Sequence, residues 1–311
     1  MDSTETQHRP LPGAVALATV TGRHPGPTLA VLGGVHGDED EGVLAVLRLL
    51  REVRSIPLTG TIRAVAPANA AAWAAQSRTS PLDNGNLARS FPGSADDGPT
   101  SAAAAAITEH VITGSTALID LHSAGVRYRM PLMSGYSEQT EAHDESRRLA
   151  MAFGAPVIWR HPRPALGRSL SVAADQGIPA IYAECSGGGS IRAGDLDAYV
   201  TGVMNVMAEL GMVPPEYRRP AAEPRWVHGD GDLDYGAAAA QPGLFVSSVR
   251  AGDVVDQGSE IGRLYSFDGD LLQRVDAPGT GMVMFLRRQA RTAEMDVLFV
   301  LAQLDDSMAA S

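Results

Sequence analysis

The sequence contains no lysine, and each of its 25 basic residues is an arginine. A phosphate-binding-loop lysine, a Schiff-base lysine and a lipoyl or biotinyl attachment site are therefore excluded, because each requires a primary amine. Cysteine occurs once, as Cys185, which excludes an intramolecular disulfide, a CxxC redox pair and a four-thiolate zinc site. A single thiol is typical of a reducing compartment, and we expect the protein to be cytoplasmic.

Three further scarcities limit the partners that we expect. Aromatic residues make up 5% of the chain, which argues against a stacking surface for nucleic acid. The net charge of −11 repels phosphate backbones and anionic membranes. No stretch approaches 18 uninterrupted apolar residues, and the polar start MDSTETQHRPLPG lacks the apolar core of a signal peptide. We therefore expect no nucleic-acid partner and no membrane partner.

The first part of the chain, to about residue 210, alternates short apolar runs with amphipathic patterns, which predicts an α/β sheet flanked by helices. We expect an edge strand near residue 14 and helices at 43–53, 102–106 and 196–210. Five runs are predicted as buried strands: 28–34, 60–67, 116–122, 155–159 and 179–184.

The proline-rich segment GMVPPEYRRPAAEPRW interrupts this pattern and predicts a boundary between a domain at 1–218 and a domain at 219–311. In the second domain, short β-prone runs alternate with glycine turns, which predicts a small all-β module. The stretch from Gly243 to Tyr265 resembles the lipoyl and biotinyl carrier fold, but the chain has no lysine to carry the prosthetic group. We interpret the module as a cap or buttress of the first domain. Its exposed β edges lead us to expect a homo-oligomer.

The segment GGVHGDEDEG, residues 33–42, lies between the strongest buried-strand pattern and the first amphipathic helix. α/β sheets place their functional sites at such turns. His36 and Glu39 are three residues apart here, so an imidazole and a carboxylate can point at one zinc ion. The alternative is that the acidic residues complement the helix dipole and that His36 is an ordinary loop residue.

His122 ends the buried run TALIDLH, so a second strand end carries a histidine. With His36 and Glu39 it completes the two-histidine, one-carboxylate set of a catalytic zinc site, which manganese, iron or cobalt could also occupy. Asp120 points to the same face of the strand as His122. It is either an acceptor that orients the imidazole or a strand-end carboxylate held by backbone donors.

Glu184 ends the run PAIYAE, directly before the glycine-rich CSGGGS. Burying a carboxylate there is costly unless it is paired or poised for proton transfer, so we interpret Glu184 as a candidate base for a zinc-activated water. The neighbouring Cys185 has no evident partner histidine in the sequence, and we interpret it as structural rather than nucleophilic.

Residues 68–100 form an irregular segment that is too long for a simple connection, and long ordered loops usually line a site. Arg78 and Arg89 lie in this segment. Their guanidinium groups are permanent cations suited to a substrate carboxylate or to a developing oxyanion. Further arginines are candidates for lining the same pocket: Arg127, Arg129, Arg160, Arg168 and Arg192.

Together, these motifs resemble the succinylglutamate desuccinylase and aspartoacylase family of the zinc carboxypeptidase clan, over nearly the whole chain. The resemblance rests on GGVHGDEDEG, RTSPLDNGNLARSFPG, LIDLHSAG and GIPAIYAECSGGG, in this order. It implies a zinc-carboxypeptidase-like mixed sheet flanked by helices, with a small C-terminal β domain over the active site. It also implies a zinc-dependent hydrolase that cleaves the amide of a small N-acyl amino acid or N-acylated amine, most similar to N-acetyl-diaminobutyrate deacetylase-like members.

Carried over by position, the resemblance implies that His36, Glu39 and His122 hold one zinc ion. It also implies that Glu184 acts first as general base and then as general acid. A metallocarboxypeptidase that acts on a short or unusual peptide would share these zinc-binding parts, and it remains an alternative.

For the irregular segment, the resemblance implies that Arg78 polarises the scissile carbonyl and that Arg89 binds the substrate carboxylate. One position departs from the family pattern, because Ala88 stands where the family has an asparagine directly before the second arginine. Asn86 is a candidate replacement for that amide in substrate binding. The expected partner is a small N-acylated substrate. A non-catalytic member that binds a small ligand or is structural is the alternative that Ala88 favours.

Overall fold

The chain folds into a large mixed sheet, covered by helices on both faces, and a smaller antiparallel sheet. The computed structural model describes residues 5–231, Leu233 and residues 236–305. The outer ends of the two predicted domains, residues 1–4 and 306–311, lie outside the described residues. None of the described helices is long and apolar enough to span a membrane.

The strands are, in chain order, β1 (Glu5–Leu11), β2 (Val15–Thr21), β3 (His24–Gly33), β4 (Thr59–Val65), β5 (Ala117–Leu121), β6 (Tyr128–Arg129), β7 (Met133–Ser137), β8 (Val157–His161), β9 (Ala180–Glu184), β10 (Arg225–His228), β11 (Ala237–Ala238), β12 (Gly243–Ser247), β13 (Val254–Val255), β14 (Glu260–Tyr265), β15 (Leu271–Asp276), β16 (Gly281–Arg287), β17 (Arg291–Thr292) and β18 (Val297–Leu304). The α-helices are α1 (Asp40–Glu52), α2 (Ala70–Ala74), α3 (Pro99–Ile107), α4 (His143–Phe153), α5 (Ser169–Asp175) and α6 (Ala193–Glu209).

The large sheet has the strand order β1-β2-β4-β3-β5-β9-β7-β8-β10-β18-β16-β13, with β11 on β18 and β6 on β16. Its centre is parallel, because β3 pairs with β4 and β5, and β5 pairs with β9. β7 is antiparallel to β9, and β8 is parallel to both β7 and β10. The carboxyl ends of β3, β5 and β9 therefore meet at one edge of the sheet, where functional side chains gather. The smaller sheet has the order β15-β14-β12-β17.

The helices cover the two faces because successive strand residues point in opposite directions. Leu29 and Val31 of β3 pack in the core that includes residues of α1, α4 and α6. Ala30 and Leu32 of the same strand pack in the core that includes residues of α3 and α5. The predicted helices at 43–53, 102–106 and 196–210 are confirmed as α1, α3 and α6.

The predicted α/β class and the small C-terminal antiparallel sheet are confirmed. All five predicted buried strands are present, as β3, β4, β5, β8 and β9. The predicted edge position of the strand near residue 14 is wrong, because β1 pairs antiparallel along the full length of β2. The polar sequence ETQHRPL of β1 has no apolar alternation, so the sequence gives no signal for it. The sequence also gives no signal for β7, MSGYS, because its serines and glycine interrupt any apolar run, although all five residues are buried.

The predicted domain boundary at 218/219 coincides with a change from α/β to mainly β structure. The large sheet nevertheless continues across it, because β10 pairs with β8 on one side and with β18 on the other. The β6 segment also pairs with β16. The carboxy-terminal strands thus extend the sheet that carries the predicted site, and the division into two domains stays a prediction.

Candidate active site

The turn after β3 and the end of β5 bring three predicted ligands together. β3 and β5 are paired neighbours, with Gly33 opposite Leu121, so the residues that follow both strands lie side by side. His36, Glu39 and His122 are all buried there, with the Glu39 residue 1% exposed. The turn needs glycine, because a Cβ on Gly37 would lie 2.1 Å from the carbonyl carbon of Ala72.

The two imidazoles face one carboxylate. His36 Nδ1 lies 2.7 Å from Glu39 Oε1, and His122 Nδ1 lies 3.0 Å from Glu39 Oε2. The potential ligand atoms of the three residues all lie within 4.8 Å of one another. Although burial alone raises the pKa of the Glu39 carboxyl, the two histidines hold that pKa well below its usual range. Glu39 is therefore an anion at neutral pH.

The donor set fits a divalent metal ion. His122 Nε2 lies 3.2 Å from Asp120 Oδ1, and a carboxylate in that position places the imidazole proton on Nε2. The Nδ1 lone pair then faces the Glu39 carboxylate, so a cation or a proton is required between them. Two imidazole nitrogens and one carboxylate oxygen are the ligands of catalytic zinc sites with an open fourth position. The cluster is a candidate metal centre with the predicted ligands.

Glu184 lies at the end of β9, beside the candidate metal centre, since the backbone N–H of His122 donates to the carbonyl of Ala183 at 2.9 Å. Its Oε2 is shielded from solvent and has no hydrogen-bond partner among the described residues. Burial, together with the charge of Glu39, raises the pKa of Glu184 to about 8. The structure thus places a buried carboxyl group with a raised pKa at the same strand edge as the histidines.

The arginine segment reaches the same place. Arg78 Nη1 lies 3.3 Å from Glu39 Oε1, and its side chain is 42% exposed. Arg89 lines the cavity described below, and its Nη1 donates to the carbonyl of Ala88 at 3.2 Å. Asn86 is placed differently, because its side-chain oxygen caps the turn Leu87–Arg89 by accepting the Ala88 N–H at 3.0 Å. Ala88 itself lines the cavity, whereas Asn86 is not among the lining residues.

A cavity of about 240 Å³ opens over the candidate metal centre. Besides the predicted residues it is lined by Tyr182, His161, Arg163 and by residues that follow β10. Phe285 of β16 and Leu233 also line it, so the carboxy-terminal part of the chain contributes to its wall. Strand-end patterns could not indicate these residues, because they reach the cavity from strands and loops far apart in the sequence.

The further arginines and the cysteine that the sequence analysis singled out lie in different places. Of the five further arginines, Arg168 lines the cavity. Arg160 instead forms ion pairs with Glu138 and Asp305, and Arg129 Nη1 donates to the carbonyl of Gly187 at 2.9 Å. Cys185 is buried, and burial raises the pKa of its thiol well above the usual value, which fits a structural thiol rather than a nucleophile.

The fold is a mixed α/β sheet with a buried His–Glu–His cluster at its strand ends, an arrangement that could hold a metal ion. Residues 25–210 match the succinylglutamate desuccinylase/aspartoacylase catalytic domain, and the chain belongs to this family. It is 32% identical over 302 residues to the N-alpha-acetyl-L-2,4-diaminobutyric acid deacetylase of Halomonas elongata, covering 95% of this chain and 88% of that protein.

Two solved structures share the fold over almost the whole chain. A succinylglutamate desuccinylase from Silicibacter sp. TM1040 has a TM-score of 0.87 at 23% identity, covering 98% of this chain and 96% of its own. The product-bound ectoine utilization protein EutE (DoeB) from Ruegeria pomeroyi has a TM-score of 0.87 at 24% identity, and the match covers 97% of this chain and 96% of that protein. Both likenesses extend through the carboxy-terminal strands that line the cavity.

Proposed function

We propose that the protein is a zinc-dependent deacylase that hydrolyses the amide bond of a small N-acyl amino acid or N-acylated amine. The observation that carries the proposal is the convergence of His36, Glu39 and His122 beside Glu184 in one cavity. Membership of the family and the diaminobutyrate deacetylase from Halomonas elongata support this reaction class. The cavity volume of about 240 Å³ suits a small molecule rather than a folded protein substrate.

His36 and His122, each through Nδ1, and the Glu39 carboxylate would hold the metal ion. A zinc ion bound there supplies Lewis-acid chemistry, polarising a carbonyl oxygen and lowering the pKa of water toward neutrality. Asp120 keeps His122 in the tautomer that leaves Nδ1 free to bind a cation.

Glu184 moves the proton. A carboxylate oxygen of Glu184 accepts a proton from the attacking water while the water oxygen bonds to the acyl carbon. The same group then gives that proton to the amide nitrogen as the C–N bond breaks, so the products are a carboxylic acid and a free amine. Burial raises the pKa of Glu184 to about 8, and a bound cation would bring it closer to neutrality, so that both transfers are accessible.

Arg78 and Arg89 supply fixed positive charge. Arg78 Nη1 donates to Glu39 Oε1, and in the proposed reaction its guanidinium stabilises the negative charge that develops on the substrate carbonyl oxygen. Arg89 lines the cavity and is suited to bind the substrate carboxylate through paired N–H donors. Asn86 caps a turn through its side-chain oxygen and is not among the residues that line the cavity, so its contribution to substrate binding stays a prediction from the sequence.

The test is amine release from a panel of N-acetyl, N-succinyl and N-formyl amino acids and diamines, with short peptides included, using zinc-loaded protein. We expect release from at least one N-acyl amino acid. Glu184→Gln should bind zinc and fold but lose several orders of magnitude in rate, whereas Glu145→Gln, an exposed residue of α4, should keep full activity. An active Glu184→Gln protein contradicts the proton-transfer role. Release from peptides alone would favour the carboxypeptidase alternative.

A further inference from the structure

A group of arginines lies outside the cavity, on the other side of the segment that follows His122. Tyr128 of β6 and Phe285 of β16 line the cavity, and their rings meet edge to face with centroids 6.1 Å apart. Successive strand residues point in opposite directions, so Arg129 points away from the cavity. By the same alternation along β16, Arg288 lies on the side opposite to Phe285.

The arginine cluster is defined by four residues that are not among those lining the cavity: Arg127, Arg129, Arg192 and Arg288. β6 and β16 bring three of them together. Arg129 pairs with Leu286, and the backbone N–H of Arg288 donates to the carbonyl oxygen of Arg127 at 2.9 Å. Like charges opposite each other on paired strands are destabilising, so this arrangement costs stability unless an anion lies between the side chains.

The glycine-rich loop after β9 brings the fourth arginine to the same place. Arg129 Nη1 donates to the carbonyl oxygen of Gly187 at 2.9 Å. Gly188 packs against the guanidinium, since a Cβ there would come within 2.5 Å of Arg129 Cζ, and its φ of 80° also favours glycine. Arg192 lies at the end of this loop, where its Nη1 donates to Ser186 Oγ at 3.2 Å.

The positive charge of the arginine cluster is only partly balanced. Among the described residues, none of its four members forms an ion pair. Burial and the charges of Arg192 and Arg288 lower the pKa of Arg129, which remains a cation. Asp195 and Glu41 act on Arg129 in the opposite direction, and each already accepts a hydrogen bond from a serine hydroxyl, at 2.6 and 2.8 Å. Positive charge is therefore in excess at this surface.

The chemistry of the arginine cluster fits a phosphate group on a small molecule. A guanidinium presents paired N–H donors that match the oxygens of a phosphate, and one phosphate can accept from several arginines at once. A long polyanion such as nucleic acid would extend beyond the cluster and meet a chain whose net charge is −11, which repels it. A small anion stays within the cluster and avoids this repulsion.

We propose that the arginine cluster binds the phosphate group of a small molecule, at a site separate from the catalytic cavity. The phosphate oxygens accept hydrogen bonds from Arg129, Arg192 and Arg288, and the negative charge removes the repulsion among them. The segment from His122 to Arg129 also carries Tyr128 into the cavity wall, so a bound phosphate stabilises that wall from behind. The site does not depend on the reaction proposed above.

Binding of inorganic phosphate and of methyl phosphate is measured by calorimetry on zinc-loaded protein freed of excess metal, with chloride adjusted to keep the ionic strength constant. Arg192→Gln and Arg288→Gln should each weaken binding at least about tenfold, the loss expected for one charged hydrogen bond. Arg54→Gln, at an exposed position just after α1, should bind like the wild-type protein. Tighter binding of methyl phosphate identifies a phosphate ester as the ligand, and tighter binding of inorganic phosphate identifies the free anion.

Arg89→Gln separates this site from the catalytic cavity, because Arg89 lines the cavity and should leave binding at the arginine cluster unchanged. Loss of phosphate binding in Arg89→Gln, with Arg192→Gln unaffected, places the anion in the cavity and overturns the proposal. A peptide of glutamates is the third probe. If it binds more tightly than both phosphates, the cluster docks an acidic protein segment and the proposal is wrong.

Urea unfolding with and without phosphate, at constant ionic strength, gives a second measurement that needs no heat of binding. Phosphate stabilises folded proteins in general, so the comparison is between Arg192→Gln and Arg54→Gln. The gain in the free energy of unfolding should be larger in Arg54→Gln, where the site is intact. An equal gain in the two variants overturns the site.

Neither measurement uses turnover, so the site can hold while the proposed reaction fails, or fail while the reaction holds.

Discussion

His122 Nε2 lies 3.2 Å from Asp120 Oδ1, two residues earlier in the chain, and both side chains are buried. The other Asp120 oxygen accepts a hydrogen bond from the Ser169 hydroxyl, at the first residue of α5. One carboxylate thus connects a candidate metal ligand on β5 to a helix on the face of the sheet. A carboxylate at this distance can orient the His122 ring for a metal ion.

Asp120→Asn should weaken zinc binding about 10- to 100-fold, because the amide no longer secures the proton on His122 Nε2. Affinity is measured by competition with a chelator of known strength. Asp270→Asn, in an exposed turn, should bind zinc like the wild-type protein. Unchanged affinity in Asp120→Asn would show that His122 is oriented without the carboxylate.

Zinc should stabilise the folded protein, since a ligand that binds the folded state alone shifts the unfolding equilibrium. At a free zinc concentration about 100 times the Kd, the free energy of unfolding should rise by about 2.7 kcal/mol. His122→Ala should abolish most of this increase, whereas His8→Ala, at an exposed position of β1, should preserve it. Urea unfolding with and without zinc measures both. An equal increase in His122→Ala would remove this residue from the ligand set.

Ser123→Ala should destabilise the protein by about 1–3 kcal/mol, because it leaves a buried carboxyl group unpaired. The Ser123 hydroxyl donates to Glu41 Oε2 at 2.8 Å, and the shielded Glu41 Oε1 has no partner among the described residues. The Ser123 backbone N–H also donates to Glu39 Oε2 at 3.2 Å, and alanine keeps this bond, so zinc affinity should stay close to that of the wild-type protein.

Urea unfolding of Ser123→Ala, Glu41→Met and the double variant tests this pairing. The double variant should lose less stability than the two single variants together, because each single change already breaks the same hydrogen bond. Strict additivity would mean that the two side chains do not interact in solution. Ser248→Ala, an exposed residue, serves as the control for loss of a hydroxyl.

The stability of the protein should fall as the pH drops from about 6.5 toward 4, with His161 contributing. Burial lowers the pKa of His161 from 6.5 to about 4, so in this range the unfolded chain binds a proton that the folded chain does not. The loss attributable to this residue is at most about 3 kcal/mol.

His161→Gln should flatten this part of the curve of unfolding free energy against pH. Urea unfolding at a series of pH values, at equal metal content, gives the difference between the two proteins. Burial also lowers the pKa of His36, but His36 is present in both proteins, so its contribution to the unfolding free energy cancels in the difference. Parallel curves would show that His161 titrates like a free histidine.

Most of the central sheet could be predicted, because its strands are buried on both faces and are therefore nearly continuous apolar runs. The run at 28–34 is an example, with Leu29 to Leu32 all fully buried in β3. β7 could not be predicted, because its serines and glycine are buried through contacts that only the folded chain provides. Ser134 is 0% exposed there, with its hydroxyl donating to the carbonyl of Ala150.

The sequence by itself determined the chemistry of the candidate centre. His36 and Glu39 could be identified by their spacing at a strand-to-helix turn, and His122 and Glu184 by their positions at two other strand ends. The parallel order of these strands brings all four residues to one edge of the sheet. The absence of lysine excluded the amine-dependent chemistries without any structure. Tertiary structure alone decided that Asn86 caps a turn, that Phe285 lines the cavity, and that Tyr182 pairs with His161. These contacts join residues from strands and loops that meet only after folding. The direction of a hydrogen bond depends on all the partners of both groups, and no local sequence pattern encodes those partners.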